Sequence, residues 1–173
     1  MNRILLLIIA VSTIFSFGCS KEEAGGMNST DEKFMVSAAL TDLAEIDFAT
    51  MALSKSETDS VLNFATAMNL DHTANLSTLR DSLARELNYK HLPTTIDTAH
   101  MSLKIKISAL TGYDFDTAYI NGQIRDHQSA IADYNMEIRN GYNKGIKAFA
   151  ADKLPMLQMH LDRAKAVAKS LHP

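Results

Sequence analysis

The chain has 173 residues, 46% of them apolar and 21% charged, with a formal net charge of −3, seven glycines, three prolines, one cysteine and no tryptophan. That length leaves room for one domain with a full core once an export segment is removed. Mild acidity without a Lys/Arg cluster among aromatics excludes a nucleic-acid partner, a single cysteine excludes an internal disulfide, and scarce Gly and Pro favour helices over a β sandwich.

Arg3 and the apolar run Ile4 to Phe17 make a charged start and a core of about 14 residues, shorter than the roughly 20 that span a bilayer. Residues 1–18 read as a signal peptide. The stretch Ser16-Phe17-Gly18-Cys19 resembles the lipobox of bacterial lipoproteins, with Ser where Leu is commonest and a bulky Phe before the Gly. The resemblance implies acylation of Cys19 and attachment to a bacterial outer membrane, facing the periplasm or the exterior, without a spanning helix. Residues 19–31, rich in Lys, Glu, Gly, Asn and Ser, have little to bury and are expected to form a disordered tether. Residues 32–173 are left as the folded domain.

From Asp31 to Lys55, Met35, Ala39, Leu43, Ile46, Ala49 and Leu53 recur at three- and four-residue steps, the pattern of an amphipathic helix. Ser56, with Asp59 three residues on, is the expected cap of a second helix. Its stripe is Val61, Ala65, Met68, His72, Leu76, Leu79, Leu83 and Leu87. Leu92-Pro93-Thr94-Thr95 breaks the pattern, and a short crossover helix is predicted from about Asp97 to Leu110, closed by Gly112 in a left-handed cap. Asp114 or Asp116 is expected to cap the next long helix, striped by Ile120, Ile124, His127, Ile131, Tyr134 and Ile138 and stopped at Asn140-Gly141. In the last segment Pro155 should start or kink a helix, giving a short piece before it and a longer one after.

Two antiparallel pairs joined by a long connection describe an all-α, ferritin-like four-helix bundle with a short extra helix in the crossover. The Asp-His doublets support two related halves: Asp71-His72 follows Phe64 and Asp126-His127 follows Tyr119, each at seven residues. In its ordered pieces the chain resembles the exported bacterial domain-of-unknown-function family 4142, for which a ferritin-like fold is expected. The resemblance rests on Phe64-Ala65, Met68 and Asp71-His72; Gly112-Tyr113-Asp114-Phe115-Asp116 with Tyr119; Asp126-His127; and Phe149-Ala150, Leu154-Pro155 and His160-Leu161. It covers roughly residues 33 to 171 and implies little about chemistry.

Di-iron ferritin-like sites use Glu-x-x-His pairs, but Asn69, Ile124 and Leu157 stand three residues before His72, His127 and His160. An ordinary di-iron oxidase or iron store is therefore not expected. The inward candidates for a metal are His72, His127 and His160, with Asp71, Asp126, Asp42 and Glu45. Counted from the first turn, Glu45 and His72 differ by six residues or about 9 Å in height, so Asp42 suits His72 better. Zn, Cu or Fe are the candidate ions, imidazoles favouring Zn and Cu(II) over Mg or Ca. Met156 and Met159 beside His160 outline a Cu(I) set, although Met at helical spacing is usually core filler.

The simpler account makes His72 and His127 core histidines bonded across the bundle to Asp126 and Asp71, which would satisfy buried polar groups and fix register. No Gly-x-Ser-x-Gly elbow or phosphate-binding glycine loop is present. The sequence thus points to a membrane-tethered, non-enzymatic binding or envelope-maintenance protein, its protein partner or small ligand unspecified. The alternative is a metal-binding or redox protein with a histidine site inside the bundle.

Overall fold

Asn28 caps the first helix, three residues before the end of the expected tether. In the computed structural model, which describes residues 26–171, the Asn28 side chain accepts hydrogen bonds from the amides of Thr30 and Asp31 at 2.9 Å. Asp31 returns the bond by accepting from the Asn28 amide at 2.6 Å, so that two free donors are satisfied reciprocally. Helix α1 runs Ser29–Lys55. The expected signal peptide, Cys19 and most of the expected tether lie outside the described residues.

Helix α2 spans Asp59–Ser77 and continues as a wider π-helical segment over Thr78–Ala84. Its cap is Thr58 rather than Ser56, because Ser56 already closes α1, donating its amide to the Ala52 carbonyl at 2.9 Å. The π segment keeps Leu79 and Leu83 of the expected stripe buried, adds Ala84 to the core, and places the Arg80 guanidinium on the Pro93 carbonyl at 2.6 Å. The crossover carries α3, Thr98–Ser108, capped by Asp97. Gly112 takes a φ of +54°, yet it opens α4 (Gly112–Asn140) instead of closing α3. Neither Asp114 nor Asp116 is the cap of α4; Asp116 lies inside the helix and accepts from the Thr58 hydroxyl at 2.6 Å.

Helix α5 runs Lys144–Leu171 without a break at Pro155. Pro155 and Ala151 are both exposed, so water can take the carbonyl that loses its donor, and the helix continues. The structure is an all-α bundle, with no strand among the described residues. Helix α1 packs on α2 and α4, and α5 packs on α4 and α2. The Lys55 ammonium reaches the Ser108 carbonyl beside the start of α4, while Asn28 bonds the Asn140 carbonyl at its end; α1 and α4 are therefore antiparallel. The crossover returns the chain the length of the bundle between two hairpins, which is the connectivity of a ferritin-like fold. No described helix is long and apolar enough to cross a membrane.

Two apolar clusters fill the bundle. One gathers Phe34, Met35, Leu76, Leu79, Tyr134, Ile146, Phe149 and Leu157, and the other Phe48, Val61, Phe64, Met68, Phe115, Tyr119, Ile120 and Ala164. On every long helix the residues between these clusters are polar: Asp42 and Glu45, His72, Gln123 and His127, and His160. Burying polar groups costs free energy unless they find partners, so this layer is where the core departs from simple packing.

Candidate metal centre

Each long helix delivers its polar residue from within an apolar stripe, so the side chains are forced inward by their neighbours. His72, His127 and His160 are 0%, 1% and 0% exposed. One ligand nitrogen from each lies within 4.8 Å of the other two.

Hydrogen bonds determine which nitrogens are available. His72 Nδ1 is 2.8 Å from Asp42 Oδ1, His127 Nδ1 is 2.9 Å from the Gln123 carbonyl, and His160 Nε2 is 2.9 Å from Asp71 Oδ2. Every one of those partners is an acceptor, so each of these nitrogens carries the proton and donates. The opposite nitrogens, His72 Nε2, His127 Nε2 and His160 Nδ1, then hold lone pairs when the rings are neutral. His127 Nε2 and His160 Nδ1 are 3.3 Å apart, and His72 Nε2 is buried without a hydrogen-bond partner. Facing lone pairs repel unless a cation lies between them. Two ligands on a tetrahedral ion with bonds of about 2.0–2.1 Å are separated by about 3.3 Å, the spacing already present for one pair.

The surroundings are arranged around these rings. Asn75 donates to both Asp42 oxygens, at 3.0 and 2.9 Å, and lies 3.2 Å from the Tyr134 hydroxyl. Burial pushes the Asp42 carboxyl up, against the hydrogen bonds from His72 and Asn75. For His72 burial acts downward, but the Asp42 bond with the charges of Glu45 and Asp71 carries the net shift upward. Burial lowers His127 to about 3 and His160 to about 4, assisted in each case by the charge of His72. Both rings thus hold their lone pairs open at neutral pH.

Among the other candidates, Glu45 stands next to α4 rather than α2: its Oε2 accepts from Gln123 Nε2 at 2.6 Å and its Oε1 is 3.7 Å from His127 Nδ1. The height mismatch with His72 is therefore irrelevant, and burial pushes Glu45 up to about 7. Asp71 is bonded to His160, not His127. Asp126 meets neither histidine of the expected cross-pairing; it is half-buried and lines the groove between α1 and α4 with His100. Adjacent helical residues point about 100° apart, so Asp126 turns to the groove while His127 turns to the core. Met159 is 46% exposed, which removes the Cu(I) set. Asn75 and Gln123 were not singled out from sequence; their signal is polarity inside a stripe, three residues after His72 and four before His127.

A sequence model for the family described as Domain of unknown function (DUF4142) matches residues 19–167. The chain belongs to this family. Comparison with curated proteins and with solved structures finds no match. In this DUF4142 domain the matched span takes in all three histidines and their partners.

Proposed function

We propose that this DUF4142 protein is a metal-binding protein whose His72, His127 and His160 hold one transition-metal ion in the bundle core. The observation that carries the reading is the convergence of three buried nitrogens whose ring partners are all acceptors, with two of them 3.3 Å apart. Acceptors behind metal-bound imidazoles fix the tautomer and raise ligand basicity, the role that Asp42, the Gln123 carbonyl and Asp71 are placed to take. The carboxylates of Asp42 and Asp71 would also offset the charge of a divalent ion. Three imidazoles without a bridging carboxylate suit Zn(II) or Cu(II) better than Mg, Ca or a di-iron pair. A tetrahedral ion with three protein ligands keeps one position for water or a small ligand.

The test is total metal analysis of the full-length chain, purified without chelator or His-tag, beside a His72→Ala/His127→Ala double variant. One equivalent of metal in the parent and its loss in the variant is the expected result. No metal in either after loading with Zn, Cu or Fe would overturn the reading. The layer would then be a polar core in which a His72 imidazolium supplies the missing proton.

The location that accompanies this function is the outer membrane of a bacterium, reached through acyl chains on Cys19. It is supported by the charged start, the short apolar run and the Gly18-Cys19 junction in the sequence. Cys19→Ala should move the protein from the membrane fraction to the soluble fraction, and continued sedimentation with membranes would count against acylation.

A further inference from the structure

The triad is closed along the bundle axis. Leu76, Leu157 and Ala130 pack on one side of it and Met68, Ile120 and Ala164 on the other, so an ion must come from the side. A lateral groove reaches the polar layer among the described residues. It has a volume of about 550 Å³ and lies between α1 and α4, with Tyr89, Asp97 and His100 of the crossover along its margin, and Glu45 is among its lining residues.

The charge of this groove is one-sided. Glu32, Glu45, Asp97, Asp126 and Asp133 line it against Lys33 and His100, the latter bonded to Asp97 at 2.9 Å. A cleft lined by one sign of charge focuses the field and raises the local concentration of counter-ions. Glu45 is the residue that belongs to both compartments. It is 1% exposed, lines the groove, and stands 3.7 Å from His127 Nδ1, the nitrogen turned to the Gln123 carbonyl behind the triad. Its Oε2 is held by Gln123, while Oε1 accepts no hydrogen bond. The second Asp-His doublet takes on meaning here, since Asp126 faces the groove and His127 faces the triad at one height on α4. On the opposite side Asp71 is also partly exposed, but its oxygen is bonded to His160 Nε2 and serves to orient that ring.

We infer that the α1–α4 groove is the cation entrance of the triad: its carboxylates gather a hydrated divalent ion, and Glu45 passes it to the imidazoles. The inference rests on the metal-binding reading above. Carboxylate oxygens suit hydrated divalent ions and imidazoles suit transition metals, so the order of ligand types along the route favours movement inward.

The probe is Co(II), whose visible absorption reports its arrival at nitrogen ligands in stopped flow. The full-length parent is compared with a Glu32→Gln/Asp126→Asn/Asp133→Asn variant, which neutralises exposed or half-exposed carboxylates, and with Glu45→Gln. In low salt the triple variant should take up Co(II) at least about tenfold more slowly, and its rate should lose the salt dependence of the parent's. Glu45→Gln should slow uptake and release together, leaving one equivalent bound at the end. If the parent binds Co(II) and both variants match its rate and salt dependence, the route is wrong while the metal site stands. If the parent binds no Co(II), or the His72→Ala/His127→Ala variant binds it equally, the metal-binding reading falls and the route falls with it.

Discussion

An imidazole has one nitrogen for a neighbour and one for an ion, and the neighbours in this core are Asp42, the Gln123 carbonyl and Asp71. Changing a neighbour should therefore weaken metal binding without removing a ligand. Asp42→Asn is expected to lower affinity by about 10–100-fold, read by competition with a chromophoric chelator; an unchanged affinity would mean that Asp42 only packs. His72→Ala removes a ring and leaves the buried Asp42 with Asn75 alone. The metal-free variant should lose about 2–4 kcal/mol in urea unfolding, and equal stability would contradict a tightly packed layer. The three histidines were legible in the sequence because each interrupts an apolar stripe. Of their partners only Asp42 was, from its height opposite His72 in the first hairpin. Periodicity tells which way a side chain points on its own helix, but Asp71 and Glu45 are matched to rings on helices of the other hairpin, a matter of how those helices pack.

Elements are tied at their ends by a buried pair of carboxyl groups, Asp31 and Glu137. Asp31 completes the capping box of α1 and also accepts from the amides of Tyr142 and Asn143, at 2.9 and 3.1 Å, in the turn between α4 and α5. Glu137 is buried beside it, pushed up to about 7 by burial and then by the neighbouring Asp31 carboxylate. Gly141 lacks the Cβ that would collide with this carboxyl group. Because the folded value lies above the ordinary 4.5, the protonated Glu137 contributes stability that is fully present below pH 4.5 and is lost as pH rises through about 7. Glu137→Gln should abolish that part of the decline, so parent and variant urea midpoints should converge or cross between pH 4.5 and neutrality; parallel curves would refute the assignment. Helix faces in α2, α4 and α5 could be read from spacing. The Asn28 start, the π segment and the passage through Pro155 could not, since each depends on what a terminus or an exposed carbonyl meets in three dimensions.

On the scale of the whole molecule, the triad takes His72 from one hairpin and His127 and His160 from the other, so a bound ion joins halves that otherwise meet through packed side chains. Metal loading should raise the unfolding midpoint of the parent but not of the His72→Ala/His127→Ala variant, as binding to the folded state alone requires; an equal shift in both would place the ion elsewhere. The hairpins and their crossover were legible from the broken pattern at Leu92-Pro93, but the closeness of α1 to α4 and of α5 to α2 was not, since the stripes do not name their partners. Between Tyr89 and Asp97 the crossover has no helix, and Lys90 is exposed there. A single tryptic cut after Lys90 would separate the two hairpins covalently while leaving each intact. The nicked protein would become a two-chain complex with its coordination sphere divided between the chains, and its fragments would part in a chelator far more readily than in the presence of the ion.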